Sequence, residues 1–153
     1  ARVRGVNAVR YTNGSLTDGP IALKRESAPD KPDVNGFVKG NRADGEWMAS
    51  TCLDELTVWR SAGAGPRGTR PATGRAHDRH IAALAWEPGG DRLVTGGADG
   101  RLVIWPSPGR RGGDLTPLHV QDGDVAVSAL AWIPGGPVVV GRADGGIDLH
   151  RVT

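Results

Sequence analysis

Four histidines, His77, His80, His119 and His150, and the Asp and Ser residues around them are the side chains that could do proton-transfer or metal chemistry in this chain of 153 residues. A hydrolytic centre needs a nucleophile, a base and a group that orients the base. The motifs that carry such centres, G-x-S-x-G, H-E-x-x-H and the P-loop, are all missing from the sequence. Gly63-Ala64-Gly65-Pro66-Arg67-Gly68 fits the G-x-G-x-x-G dinucleotide pattern. Pro66, Pro71 and Gly74 oppose the helix whose N-terminus would have to hold the pyrophosphate, so this stretch reads as a loop. Asp122-Gly123-Asp124 lacks the further oxygens that a calcium loop requires. Asn13-Gly14-Ser15 is a glycosylation sequon by pattern only. Cys52 is the single cysteine; it can form neither an internal disulfide nor a zinc site, and it points to a reducing, cytoplasmic setting. His80 and His119 read as surface-loop residues. No catalytic residue, cofactor or metal is expected.

The elements behind these residues are short and heavily punctuated. Glycine (24) and proline (11) make up nearly a quarter of the chain, against a usual background of about 12%. Apolar residues are at 38% and charged residues at 24%, which is lean but not the composition of a disordered chain. The net charge of +2 comes from many alternating charges, so the total implies no strong nucleic-acid field. The most basic stretch, Arg60 to Arg79 with Arg67, Arg70 and Arg75, also holds Gly63, Gly65, Pro66, Gly68 and Pro71, and reads first as a solvated loop. The longest apolar stretch, Val125 to Ile133, is too short to span a bilayer, and nothing resembles a signal peptide. Residue 1 is Ala, which suggests either a removed initiator Met or a chain that starts inside a longer one.

A repeat organises the chain. Leu84-Ala85-Trp86-Glu87-Pro88-Gly89-Gly90 and Leu130-Ala131-Trp132-Ile133-Pro134-Gly135-Gly136 differ at one position, at an offset of 46. Ala98-Asp99-Gly100 recurs as Ala143-Asp144-Gly145 at an offset of 45. A third copy begins at Asp44-Gly45 and continues to Asp54, so Asp54, Asp99 and Asp144 are evenly spaced. A period near 45 implies stacked or radial supersecondary units. Within one period, Ile81 to Trp86 reads as a strand covered on both faces, Pro88-Gly89-Gly90 as a turn and Arg92 to Gly96 as a second strand. Ala98-Asp99-Gly100 reads as a tight turn and Leu102 to Trp105 as a third strand. No stretch of helical periodicity competes, so the fold class is all-β with antiparallel strands.

These residues resemble the WD40 family of β-propellers, whose repeat has an early His, a Leu-Ala-aromatic strand, a turn, a strand with Ser or Thr, an Asp turn and a strand ending in Trp. Residues 77 to 105 fit that pattern closely. The resemblance implies a side-chain network of His77, Thr95, Asp99 and Trp105. The preceding repeat keeps Ser50, Asp54 and Trp59, but Pro32 falls where a His is expected and the run from Asp54 to Trp59 is one residue short. The following repeat keeps Asp144, but Val140 replaces the Ser or Thr and His150 takes the Trp position. By this reading residues 34–76, 77–120 and 121–153 are repeats. Residues 1–33 hold a degenerate fourth copy, with Val6 to Gly14 as its first strand and turn, and a connecting loop.

About three to four blades of four-stranded sheet are too few for the familiar seven, which need roughly 315 residues. The expectation is a part of a larger propeller, or one that closes by self-association; two copies of three and a half blades would make seven. The resemblance implies a non-enzymatic protein–protein interaction scaffold. Its loops before the first strands, with Asp78, Arg79, His80, Gln121, Asp122 and Asp124, would form the partner-binding rim. Two other readings compete: a regulatory or nucleic-acid module using Arg60 to Arg79, and a ligand-binding or enzymatic propeller using a central channel.

Overall fold

A computed structural model describes residues 8–11, 37–61, 70–109 and 111–152. They form three β-sheets. The first holds β1 (Ala8–Tyr11), β2 (Phe37–Asn41), β3 (Trp47–Cys52), β4 (Glu55–Arg60) and β5 (Ala72–Arg75). The middle sheet holds β6 (Ile81–Trp86), β7 (Leu93–Gly97) and β8 (Leu102–Trp105), and the chain then passes through β9 (Gly113–Asp114) before β10 (His119–Gln121) joins β8. The third holds β11 (Val127–Trp132), β12 (Val138–Arg142) and β13 (Ile147–His150). Pairing is antiparallel except where β9 returns to lie parallel to β5 at the outer edge of the first sheet. The middle sheet therefore has the four strands expected of a blade, the first has six and the third has three among the described residues. The start of the expected fourth copy is described only at β1, which pairs with β2 inside the first sheet. The rest of that copy, the G-x-G-x-x-G stretch and the sequon lie outside the described residues.

Turn chemistry explains the repeating geometry. Each first hairpin turns on a glycine with positive φ, Gly45 (72°), Gly89 (71°) or Gly135 (64°), a region that costs a side-chain-bearing residue roughly 1–2 kcal/mol. Asp54, Asp99 and Asp144 occupy the same corner of successive sheets, in the turns β3–β4, β7–β8 and β12–β13. The first of these turns is shortened to Leu53-Asp54, which forces Leu53 to a φ of 54°.

The sheets stack face against face, with β2, β6 and β11 side by side. Strand alternation sends Ile81, Leu84, Leu93, Val103 and Trp105 of the middle sheet toward the first, where they meet Trp47, Ala49, Leu56 and Val58. The alternate residues Ala83, Ala85, Val94, Leu102 and Ile104 face the third sheet and meet Val127, Leu130, Trp132, Val138 and Val140. Each fully buried Val, Leu or Ile here stabilises the stack by roughly 1.5–3 kcal/mol. The near-continuous apolar strands of the middle sheet are thus explained by cover on both faces. The Trp86 indole N–H donates to the Gly40 carbonyl at 3.2 Å, stitching the middle sheet to the first.

Candidate functional site

The middle sheet brings His77, Thr95, Asp99 and Trp105 together. His77 lies just before β6, Thr95 in the centre of β7, Asp99 in the β7–β8 turn and Trp105 at the end of β8. His77 Nδ1–H donates to Asp99 Oδ1 at 3.2 Å, and its Nε2 lies 2.8 Å from Thr95 Oγ1. Trp105 Nε1–H donates to the same hydroxyl at 2.8 Å. A threonine hydroxyl has one proton and two lone pairs. If it accepts from Trp105, its proton is available for His77 Nε2, which must then be the unprotonated nitrogen. One direction of donation runs from Trp105 through Thr95 and His77 to Asp99, and every buried group has a partner. Burial lowers the His77 pKa, outweighing the raising effect of Asp99, in keeping with a neutral ring. Burial would raise the Asp99 pKa, but the backbone N–H of Asp78, His77 and the backbone N–H of Arg101 together hold it below its ordinary value. Gly97 makes room for the pair: a Cβ there would stand 2.5 Å from His77 Nδ1.

The same corner is built differently in the neighbouring sheets. In the first, Trp59 Nε1–H reaches Ser50 Oγ at 3.4 Å, while Asp54 pairs with Arg75 at 2.7 Å instead of a histidine. In the third, Asp144 is exposed and, among the described residues, accepts only from the Gly146 backbone N–H at 2.9 Å. There Arg142 takes the position equivalent to Gly97, a substitution that is sterically open because no histidine has to fit beside it. Its guanidinium donates to the Gly100 and Val125 carbonyls, both at 3.0 Å, and pairs with Asp148 at 2.7 Å, bracing the third sheet against the middle one.

Of the expected rim, Asp78 and Asp122 are joined through Arg101, at 2.8 and 2.7 Å. Arg101 also donates to the Ala76 carbonyl at 3.2 Å, so one guanidinium spans the loops leading into β6 and β11. Sequence reasoning missed both Arg101 and Arg142; the one available signal was an arginine two residues from Asp99 and from Asp144. Arg79 and Asp124 are exposed, with no ion-pair partner among the described residues. His80 is half-buried, its carbonyl accepting from Ala98 N–H at 2.9 Å. Gln121 is the last residue of β10. His119, expected in a loop, lies in β10, where pairing with Ile104 fixes it in a strand. Its ring stacks on His150 at a centroid distance of 6.0 Å. Burial, then the neighbouring His119, lowers the His150 pKa. At the opposite ends of the strands, an open cleft is lined by Arg42, Ala43, Asp44, Gly89, Gly90 and Asp91, but Arg42 is already paired with Asp44. Among the described residues, no group of three or more His, Cys, Asp or Glu could hold a metal ion, and no helix is long and apolar enough to cross a membrane.

The family model described as WD domain, G-beta repeat, matches residues 68–106, the segment that contains the whole His77 network. The chain is similar in structure to the β-propeller domain of Cps50 (Swd1) from Myceliophteria thermophila, with a TM-score of 0.55 and 17% identity. The match covers 72% of this chain and 33% of that one, so this chain spans about a third of that neighbour's length. At such identity the likeness is one of fold. No curated protein matches.

Proposed function

We propose that this chain, a partial β-propeller carrying a WD40 repeat, is a non-catalytic protein-interaction scaffold that works as part of a larger propeller in a reducing, cytoplasmic setting. Its partner binds at the loop end marked by Asp78, Arg79, His80, Gln121, Asp122 and Asp124. One observation carries this reading. Arg101 clamps Asp78 to Asp122, so two successive loops are held at a fixed spacing while Arg79 and Asp124 project outward. Preorganised loops lose little entropy on binding, and exposed charges of both signs suit a polar rim.

Among the described residues nothing favours the competing readings. The strands that lie side by side across the three sheets, β2, β6 and β11, carry no carboxylate or histidine. Of the basic loop, Arg75 is committed to Asp54 and Glu55. The test compares the proteins retained by the wild-type chain with those retained by Arg79→Glu and Asp124→Lys. Loss of a specific partner with unchanged folding stability is the expected result. An identical partner set for all three chains refutes this rim.

A further inference from the structure

The three sheets share a core of three antiparallel strands, and among the described residues the two end sheets leave less covered the faces that are buried in the middle one. Offsets of 46 and 45 place Ala129, Ala131, Val139, Ile147 and Leu149 of the third sheet at the positions of Ala83, Ala85, Val94, Leu102 and Ile104. Cross-strand pairing of Ala131 with Val139 and Val139 with Leu149 puts these residues on one face, away from the middle sheet. Leu102 and Ile104 are 2% and 1% exposed, because the third sheet covers them. Their counterparts Ile147 and Leu149 are 73% and 68% exposed, higher than the other large apolar side chains described. Such a contiguous apolar face marks an interaction surface.

The first sheet offers the complementary half. Trp47, Ala49, Leu56 and Val58 face the middle sheet, so Met48, Ser50, Thr57 and Trp59 point the other way. Met48, Ser50 and Trp59 stand where Leu93, Thr95 and Trp105 stand in the middle sheet, which the first sheet covers completely. In the first sheet the same positions are only half-buried. This chain therefore carries both sides of the contact it already makes twice internally.

We propose that a second copy of this chain is the occupant: the open face of the third sheet in one copy seats against the open face of the first sheet in the other. This deepens, and rests on, the reading of the chain as part of a larger propeller. Head-to-tail contacts form a ring when the rotation closes. The described residues of two copies bring six sheets, within the four to eight that propellers use.

The test is sedimentation of the full chain with variants aimed at each face. Leu149→Lys alters the third-sheet face and Met48→Lys the first-sheet face; circular dichroism checks that both variants keep their strands. The wild type is expected at twice 16.0 kDa at micromolar concentration, and each variant alone at 16.0 kDa. An equimolar mixture of the two variants is expected to regain the doubled mass, because one intact contact remains possible between them. A monomeric wild type, a mass that grows with concentration beyond two copies, or a dimer insensitive to Met48→Lys overturns the proposal. The last result would mean that third sheets pair face to face. A monomer whose partner binding still depends on Arg79 would remove the ring and leave the scaffold reading standing.

Discussion

Thr95→Val is the sharpest probe of the hydrogen-bonded corner in the middle sheet. Valine keeps the shape of threonine but can neither accept from Trp105 Nε1–H nor donate to His77 Nε2, both now at 2.8 Å. Thr95 is wholly buried, so no solvent replaces it. Each polar group left unpaired costs about 1–3 kcal/mol, and replacing a hydroxyl with a methyl returns on the order of 1 kcal/mol, so the net loss is about 1–5 kcal/mol. At roughly 2–4 °C per kcal/mol for a chain of this size, the melting temperature falls by several degrees and by as much as about 20 °C. Thr95→Ser is the control. It keeps the hydroxyl and removes one methyl, a loss of about 1 kcal/mol. Urea unfolding followed by tryptophan fluorescence measures both variants. If Thr95→Val is no less stable than Thr95→Ser, the hydroxyl does not link His77 to Trp105 as described, and the account of why this corner tolerates burial is wrong.

Two further expectations follow from the same corner. His77 has a lowered pKa in the folded chain, so below about pH 6.5 the unfolded chain binds more protons and stability falls as the pH drops; the Asp99 contribution is lost in the same direction at lower pH. Urea midpoints should therefore be level from pH 8 to about 7 and decline toward pH 5. His77→Gln should flatten the upper part of that decline, leaving the portion due to His150, whose pKa is also lowered; a stability that rises on acidification contradicts the neutral ring. Gly74→Ala should destabilise the chain by about 1–3 kcal/mol, because the new methyl would stand 2.9 Å from Trp105 Cη2 and closer still to Cζ3. A Gly74→Ala chain as stable as the wild type would show that β5 does not lie against that indole.

Much of the middle sheet was legible before any coordinates. Ile81–Trp86 and Leu102–Trp105 are strands with the bounds read from the sequence, and the second strand is displaced by one residue, to Leu93–Gly97. Apolar runs closed by Pro-Gly and Asp-Gly turns leave few alternatives at that spacing. The spacing also placed the three aspartates at equivalent corners. What the sequence did not disclose depends on distant partners. Gly113-Asp114 has no strand pattern, and its pairing with β5 arises because Gly112 and Gly113, with φ of 65° and 110°, steer the chain back to the first sheet. Arg101 could not be read as a link between Asp78 and Asp122, because nothing local says which carboxylates a long flexible cation will reach. His119 reads as a loop residue from the sequence because three residues, two positions past Pro117, carry too little pattern to mark a strand.

The detour of residues 106–118 bears on how freely such a unit could be exchanged. In a repeat array each unit contacts only its neighbours, so stability is close to a sum of unit and interface contributions. Here Leu115 N–H donates to the Thr73 carbonyl at 2.6 Å and Gly113 N–H to the Pro71 carbonyl at 3.1 Å, so backbone of one repeat belongs to the sheet of the previous one. A cut between Arg75 and His77 would strip an edge from one module and leave the other with a dangling arm. Recombination at that junction would leave both broken edges unpaired, and the two repeats are expected to unfold together.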